Sequence, residues 1–113
     1  MRRRSSGPVE SFRCEISREA DAARIRPRGE LDLNTAPRLG AALDALRAEG
    51  FRRLILDLSE LDFMDSSGLR CILEYDAEGR QDGFSLALVP GSPTIQHVFE
   101  VTQTLSLLSF IDP

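Results

Sequence analysis

Leu54-Ile55-Leu56-Asp57-Leu58 is a nearly continuous apolar run. A half-buried strand alternates apolar with polar residues, so an almost unbroken run of this length predicts a central parallel strand covered on both faces. Parallel neighbours need crossover connections, and the flanking sequence supplies helices for them. Upstream, Leu39, Ala42, Leu43 and Leu46 recur at i, i+3, i+4 and i+7, which makes one apolar helical stripe ending at Gly50. Downstream, Leu69, Ile72, Leu73 and Ala77 make a second stripe, ended by Gly79 or Gly83.

The remaining segments extend this alternation. Phe12, Cys14 and Ile16 alternate with polar residues and predict a strand. Arg24 to Arg28 reads as its hairpin partner. Pro27, lacking an N–H, demotes that strand to an edge or marks a bulge. Gly29-Glu30-Leu31-Asp32-Leu33-Asn34 reads as a loop, with Asn34 or Thr35 as helix cap and Pro37 in the first turn. Phe84 to Val89 is a further strand. Ser92 and Pro93 start a third helix, with Ile95, Val98 and Phe99 inward. Leu105 to Ile111 is a last strand or short apolar segment. Strands alternating with helices predict an α/β domain with a mostly parallel sheet of four to five strands.

Length and charge narrow the function classes. A chain of 113 residues fits one domain. The net charge of -4 gives no general attraction to nucleic acid or anionic lipid. All 14 basic residues are arginine, a compositional bias without chemical meaning. Cys14 and Cys71 form no CxxC and the chain has one histidine, so reduced, packed thiols are expected and no zinc site. No apolar run approaches the length of a membrane span. Residues 1–10, MRRRSSGPVE, have a basic start without the apolar core of a signal peptide, and read as a flexible arm before a domain over 11–113.

Chemistry concentrates in Asp65-Ser66-Ser67-Gly68, between the apolar strand region and the second helix. Asp65 suits an N-cap, with Ser66 and Ser67 in the first turn, and Gly68 would let another backbone come close. Capping alone also accounts for Asp, Ser and Ser at this position. A Ser66/His97/Asp65 triad is disfavoured, because Asp65 adjoins Ser66 and there is no G-x-S-x-G elbow. His97 reads as a solvated helix residue. Glu60, Asp62 and Asp65 read as a solvated acidic rim. No glycine-rich phosphate loop is present.

The stretch from Leu54 to Leu58, through Leu61-Asp62-Phe63-Met64 to Asp65-Ser66-Ser67-Gly68-Leu69, resembles the signature of the STAS family of bacterial anti-sigma-factor antagonists. Gly29-Glu30-Leu31-Asp32 with Thr35 resembles the loop before that family's first helix. The resemblance implies a STAS-like α/β fold and a non-enzymatic, cytoplasmic partner-switching protein. It implies binding to an anti-sigma-factor serine kinase, which brings its own ATP, and inactivation by phosphorylation of Ser66, with Ser67 as the alternative acceptor. The implied partner surface comprises Asp32, Asn34, Thr35, Asp65, Ser66, Ser67, Gly68, Leu69 and Arg70. A serine phosphatase as resetting partner is compatible with it, and neither a cofactor nor a metal is implied. STAS domains also serve as scaffolds in stress-signalling assemblies and as accessory parts of transport systems, and that role is the alternative. The chain departs from the family pattern at Pro27, at Arg70, where a small residue is frequent, and in its second serine, Ser67.

Overall fold

The structure, a computed structural model, describes residues 12–112. The arm expected at residues 1–10 lies outside the described residues. Strands β1 (Arg13–Glu19) and β2 (Ala22–Leu31) form a hairpin, followed by α1 (Ala36–Ala48) and β3 (Arg53–Asp57). Then come β4 (Leu61–Met64), α2 (Ser66–Asp82), β5 (Ser85–Val89) and α3 (Pro93–Val101), with a 3-10 turn at Leu105–Leu107 leading to β6 (Ser109–Phe110). The sheet runs β1-β2-β3-β5-β6, parallel except for the β1/β2 hairpin, and β4 pairs with the second half of β2. This is the mostly parallel α/β sheet expected, with six strands among the described residues rather than four or five.

The apolar run is the middle of that sheet, since β3 is paired in parallel with β2 on one side and β5 on the other. Its two faces differ, however. Ile25, Leu54, Leu56, Leu86 and Leu88 share one core with Leu39, Leu43 and Leu46 of α1, Leu69 and Ile72 of α2, and Ile95 and Phe99 of α3. All three helices therefore cover the same face. On the opposite face the register partners Arg24, Ile55 and Ala87 are only half-buried. Expecting both faces covered was wrong. An isoleucine beside the long Arg24 side chain is shielded well enough to permit an apolar run without a second helical layer.

Pro27 is neither on an edge strand nor at a bulge. It is buried and pairs with Cys14, inside a ten-residue β2. β3 pairs with residues 22–25 of β2 and β4 with residues 29–31, so Pro27 falls between the two, where no parallel neighbour asks for its missing N–H. The irregularity comes two residues later. Register with β4 shifts between Gly29 and Glu30, and Gly29 has φ of 101°, a left-handed conformation that glycine adopts without strain. Hence Gly29, Glu30 and Leu31 are strand rather than loop.

Two inward faces also differ from expectation. On α2, Tyr75 is buried and Ala77 exposed, because the stripe runs 68, 69, 72, 75, 79 at helical spacing. Phe12, just before β1, is buried, but Ile16 within the strand is 40% exposed, since the edge strand leaves the core as it proceeds. Gly83 ends α2, while Gly79 stays inside it, packed on Phe84.

Candidate functional site

Leu31 and Met64 are register partners at the carboxyl ends of β2 and β4. Each is followed directly by an aspartate, so Asp32 and Asp65 leave the sheet side by side. The two separate sequence matches thus meet at one edge, the end of the strands where open α/β sheets place their ligands. The Asp65 N–H donates to the Leu31 carbonyl at 3.2 Å and ties the two segments together.

Asp65 caps α2. Its backbone is extended, and its Oδ1 accepts the N–H groups of Ser67 at 2.9 Å and Gly68 at 3.1 Å. Two of the helix's orphan donors are satisfied in this way, which fixes Ser66 and Ser67 in the first turn. Ser66 is exposed and Ser67 half-buried. Gly68 and Leu69 are buried beneath them. The backbone that approaches Gly68 is the chain's own: an added Cβ would lie 2.8 Å from Leu31 Cγ and from Met64 Cγ, and 2.9 Å from the Leu31 carbonyl oxygen. Gly68 and Leu69 therefore set the height of the site from below.

The Asp32 loop is built differently from the helix cap expected there. Asp32 Oδ1 accepts from the N–H of Asn34 at 2.9 Å and of Thr35 at 3.1 Å. Thr35 occupies the N-cap position of α1 but makes no side-chain cap bond. Its hydroxyl donates to the Glu30 carbonyl at 2.7 Å and accepts the Asp32 N–H at 2.9 Å. The loop is thus closed on itself, with Asn34 and Leu33 turned outward, Leu33 at 73% exposure.

From this rim a groove of about 410 Å³ runs between α1 and α2. Leu33, Ala36, Pro37 and Gly40 line one wall and Ser67, Arg70, Cys71 and Glu74 the other, with Asp44, Tyr75 and Glu78 at the far end. The Tyr75 hydroxyl donates to Asp44 Oδ1 at 2.8 Å. Burial, reinforced by the carboxylates of Glu74 and Asp44, pushes the Cys71 thiol up. Burial and the Asp44 hydrogen bond likewise push Tyr75 up. Both groups are neutral at pH 7 and neither is an activated nucleophile. Leu33 was not singled out in the sequence, although an apolar residue between Asp32 and Asn34 was a visible signal. The groove itself depends on α1 and α2 meeting and left no local trace.

The weaker constellations do not assemble. His97 is exposed on α3 with Glu100 at 3.6 Å, while the Asp65 carboxylate is occupied by the amides of α2. Glu60 pairs with Arg28 at 3.4 Å. Among the described residues no group of three or more His, Cys, Asp or Glu side chains is placed to hold a metal ion. Cys14 and Cys71 are free and half-buried. Among the described residues no helix is long and apolar enough to cross a membrane.

Comparison with known proteins agrees with this geometry. The STAS domain family profile matches residues 13–112. BtrV of Bordetella bronchiseptica, which carries the name of a candidate anti-sigma factor antagonist, is 37% identical over 79 residues, 70% of this chain and 68% of BtrV. The anti-sigma-B factor antagonist of Staphylococcus aureus is 30% identical over 74% of this chain and 78% of its own length. Among solved structures, the anti-sigma factor antagonist SpoIIAA in its unphosphorylated form superposes with a TM-score of 0.67 at 27% identity, over 90% of this chain and 88% of that one. SpoIIAA of Bacillus in its phosphorylated form superposes with a TM-score of 0.66, also at 27% identity, over 90% of each. By profile, by relatives and by fold, the chain belongs to the STAS domain family.

Proposed function

We propose that the chain is an anti-sigma-factor antagonist that works by reversible partner binding. Unmodified, the rim formed by Asp32, Asn34, Thr35, Asp65, Ser66, Ser67 and Arg70 docks an anti-sigma factor, which then lets go of its sigma factor. The anti-sigma factor is also a serine kinase. It transfers the terminal phosphoryl group of its own ATP to Ser66 Oγ, leaving ADP and the displaced hydroxyl proton, and the phosphate ends the complex. A serine phosphatase resets the switch, and the exchange takes place in the cytoplasm. The chain is the substrate of this chemistry and performs none itself.

One observation carries the reading. In a family whose relatives are named for antagonism of anti-sigma factors, Ser66 is an exposed hydroxyl on the first turn of a helix whose cap is already satisfied by Asp65. The acceptor is accessible to a kinase while the scaffold beneath it is rigid. Ser67 is half-buried in the groove wall and is the poorer acceptor. SpoIIAA adopts this fold in both its unphosphorylated and phosphorylated forms, which supports a switch that does not refold the domain.

The test is a pull-down from native lysate with the full chain as bait, followed by mass spectrometry of the captured proteins and of the peptide containing Ser66 and Ser67. The expected result is an ATP-binding anti-sigma factor and phosphate on Ser66 after ATP is added. Phosphate confined to Ser67 would move the acceptor by one residue. Capture of a membrane transport complex with no phosphate on either serine would replace the switch by the scaffold role.

A further inference from the structure

Arg70 is exposed on α2 and, among the described residues, makes no hydrogen bond or ion pair. This sets it apart from arginines such as Arg18, Arg26, Arg47, Arg53 and Arg80, each of which holds a carboxylate. It stands four residues after Ser66 and three after Ser67, so all three lie on neighbouring positions of one helix face. Helical side chains lean toward the N-terminus, and a long arginine at position 70 therefore reaches back over the turn that holds the two serines. The other carboxylate at helical spacing is Glu74, C-terminal to the arginine, which is the less favourable order for a helix ion pair. A guanidinium left unmatched next to a phosphate acceptor is a site waiting for an anion.

We infer that Arg70 is the intramolecular acceptor of the phosphate on Ser66: phosphorylation converts a free guanidinium on the docking rim into an internally paired one. This rests on the reading of Ser66 as the acceptor and adds to it how the phosphate acts. Modification then changes the rim twice, adding negative charge at Ser66 and withdrawing the positive charge of Arg70 from any acidic group on the partner. A fork-shaped guanidinium suits a phosphate because two parallel N–H donors match two phosphate oxygens. The neighbouring ionisable groups do not compete for the phosphate. Asp65 and Asp32 on the rim, Asp44 on α1, and Glu74 and Glu78 on α2 are all acidic.

The experiment uses the full chain with phosphoserine placed at position 66 during translation, so that no kinase is needed. The second ionisation of the phosphate is followed by phosphorus NMR as pH is varied, in the wild-type background and in Arg70→Gln, Arg70→Lys and Arg80→Gln. A pair of this kind lowers the second phosphate pKa by about 0.15 to 0.4 of a pH unit relative to Arg70→Gln. Arg70→Lys recovers part of the difference. Arg80→Gln, whose arginine is bound to Asp76 and to the Leu107 carbonyl, leaves the wild-type titration unchanged. Salt at about 1 M removes the difference, because screening then acts over roughly 3 Å. Superimposable titrations for wild type and Arg70→Gln at low salt would overturn the pairing. Because the phosphate is installed without a kinase, failure to find Ser66 phosphorylated in the pull-down would sink the acceptor assignment and leave the pairing result standing.

Discussion

Gly68 lies against Leu31 so closely that a Cβ on the glycine would sit 2.8 Å from the leucine Cγ and 2.9 Å from its carbonyl oxygen. The same carbonyl accepts the Asp65 N–H, so the start of α2 is held to the end of β2 at this point. Alanine at a helix position gains up to about 1 kcal/mol in propensity over glycine. Here the clash is with the branch carbon of Leu31, with Met64 Cγ and with the Leu31 carbonyl, a backbone atom that cannot swing aside, and overpacking costs typically about 1–3 kcal/mol. Gly68→Ala is therefore expected to lower the melting temperature, by about 4–8 °C for each net kcal/mol lost. A melting temperature raised by the substitution would mean that α2 lifts off β2 at little cost.

Asp57 is the other residue whose surroundings determine its effect. Its side chain is 4% exposed on the helix-free face of the sheet, with Arg24 at 3.2 Å, Arg26 at 3.1 Å, and the Ser59 N–H donating at 3.0 Å. Burial raises its pKa, but the hydrogen bonds from Ser59 and the charge of Arg26 outweigh burial and hold the carboxyl below its ordinary 3.8. A depressed carboxyl stabilises the fold above the unfolded-state value and loses that contribution as pH falls through the folded one. Asp57→Asn is thus expected to cost about 1–3 kcal/mol at pH 7. The gap between the two melting curves should stay constant down to about pH 5 and narrow below 3.8. A gap that widens in acid would contradict the sign.

How much of this was readable in advance follows from particular residues. The run from Leu54 to Leu58 located β3 because a parallel strand writes its burial locally. Ser92 and Pro93 located the start of α3 for the same reason, and the Ser92 hydroxyl does accept the Ile95 N–H at 3.3 Å. β4 escaped notice because only Leu61 and Met64 of its four residues face the core, a spacing of three that matches no strand period. By local rule Gly29 is a breaker that ends the strand at Arg28, and Pro27 marks an edge or a bulge, although β2 runs on to Leu31. Only the change of parallel partner, from β3 to β4, makes them acceptable inside a strand. At the site, the Asp65 cap was legible from spacing, whereas the pairing of Asp32 with Asp65 depended on the Leu31–Met64 register, and the groove on α1 meeting α2. Those are properties of the assembled sheet and of no single window.

Leu33 offers a test of the groove that leaves the fold aside. At 73% exposure on the loop between β2 and α1, it contributes little to the core, so Leu33→Asp should melt within about 2 °C of wild type. It lines the groove on the wall opposite Ser67 and Arg70. A partner seated over the rim buries this leucine, and replacing it by a charge there is expected to weaken binding at least tenfold, about 1.4 kcal/mol. Calorimetry with the anti-sigma factor returned by the pull-down gives the number. Unchanged affinity would place the docking surface away from the α1/α2 groove.

The last prediction concerns charge at Ser66 itself. Ser66 is the first residue of α2, where the helix dipole favours a negative group even though Asp65 already takes the N–H groups of Ser67 and Gly68. Ser66→Asp is therefore expected to fold normally and to melt near the wild-type temperature. The interface responds differently, because a partner docked across the rim must desolvate the new charge or oppose it. An unpaired charge at an interface typically costs ~2–5 kcal/mol, a loss of affinity of roughly 30- to 4,000-fold. Ser66→Ala keeps the surface neutral, so it should bind the anti-sigma factor as wild type does and take up no phosphate when ATP is added. Titration calorimetry with the three proteins, read beside their melting curves, separates the possibilities. Loss of binding together with a collapsed melting transition in Ser66→Asp would mean that the first turn of α2 cannot hold the charge. Wild-type affinity in both Ser66→Asp and the phosphorylated protein would end the switch reading and leave the domain as a scaffold.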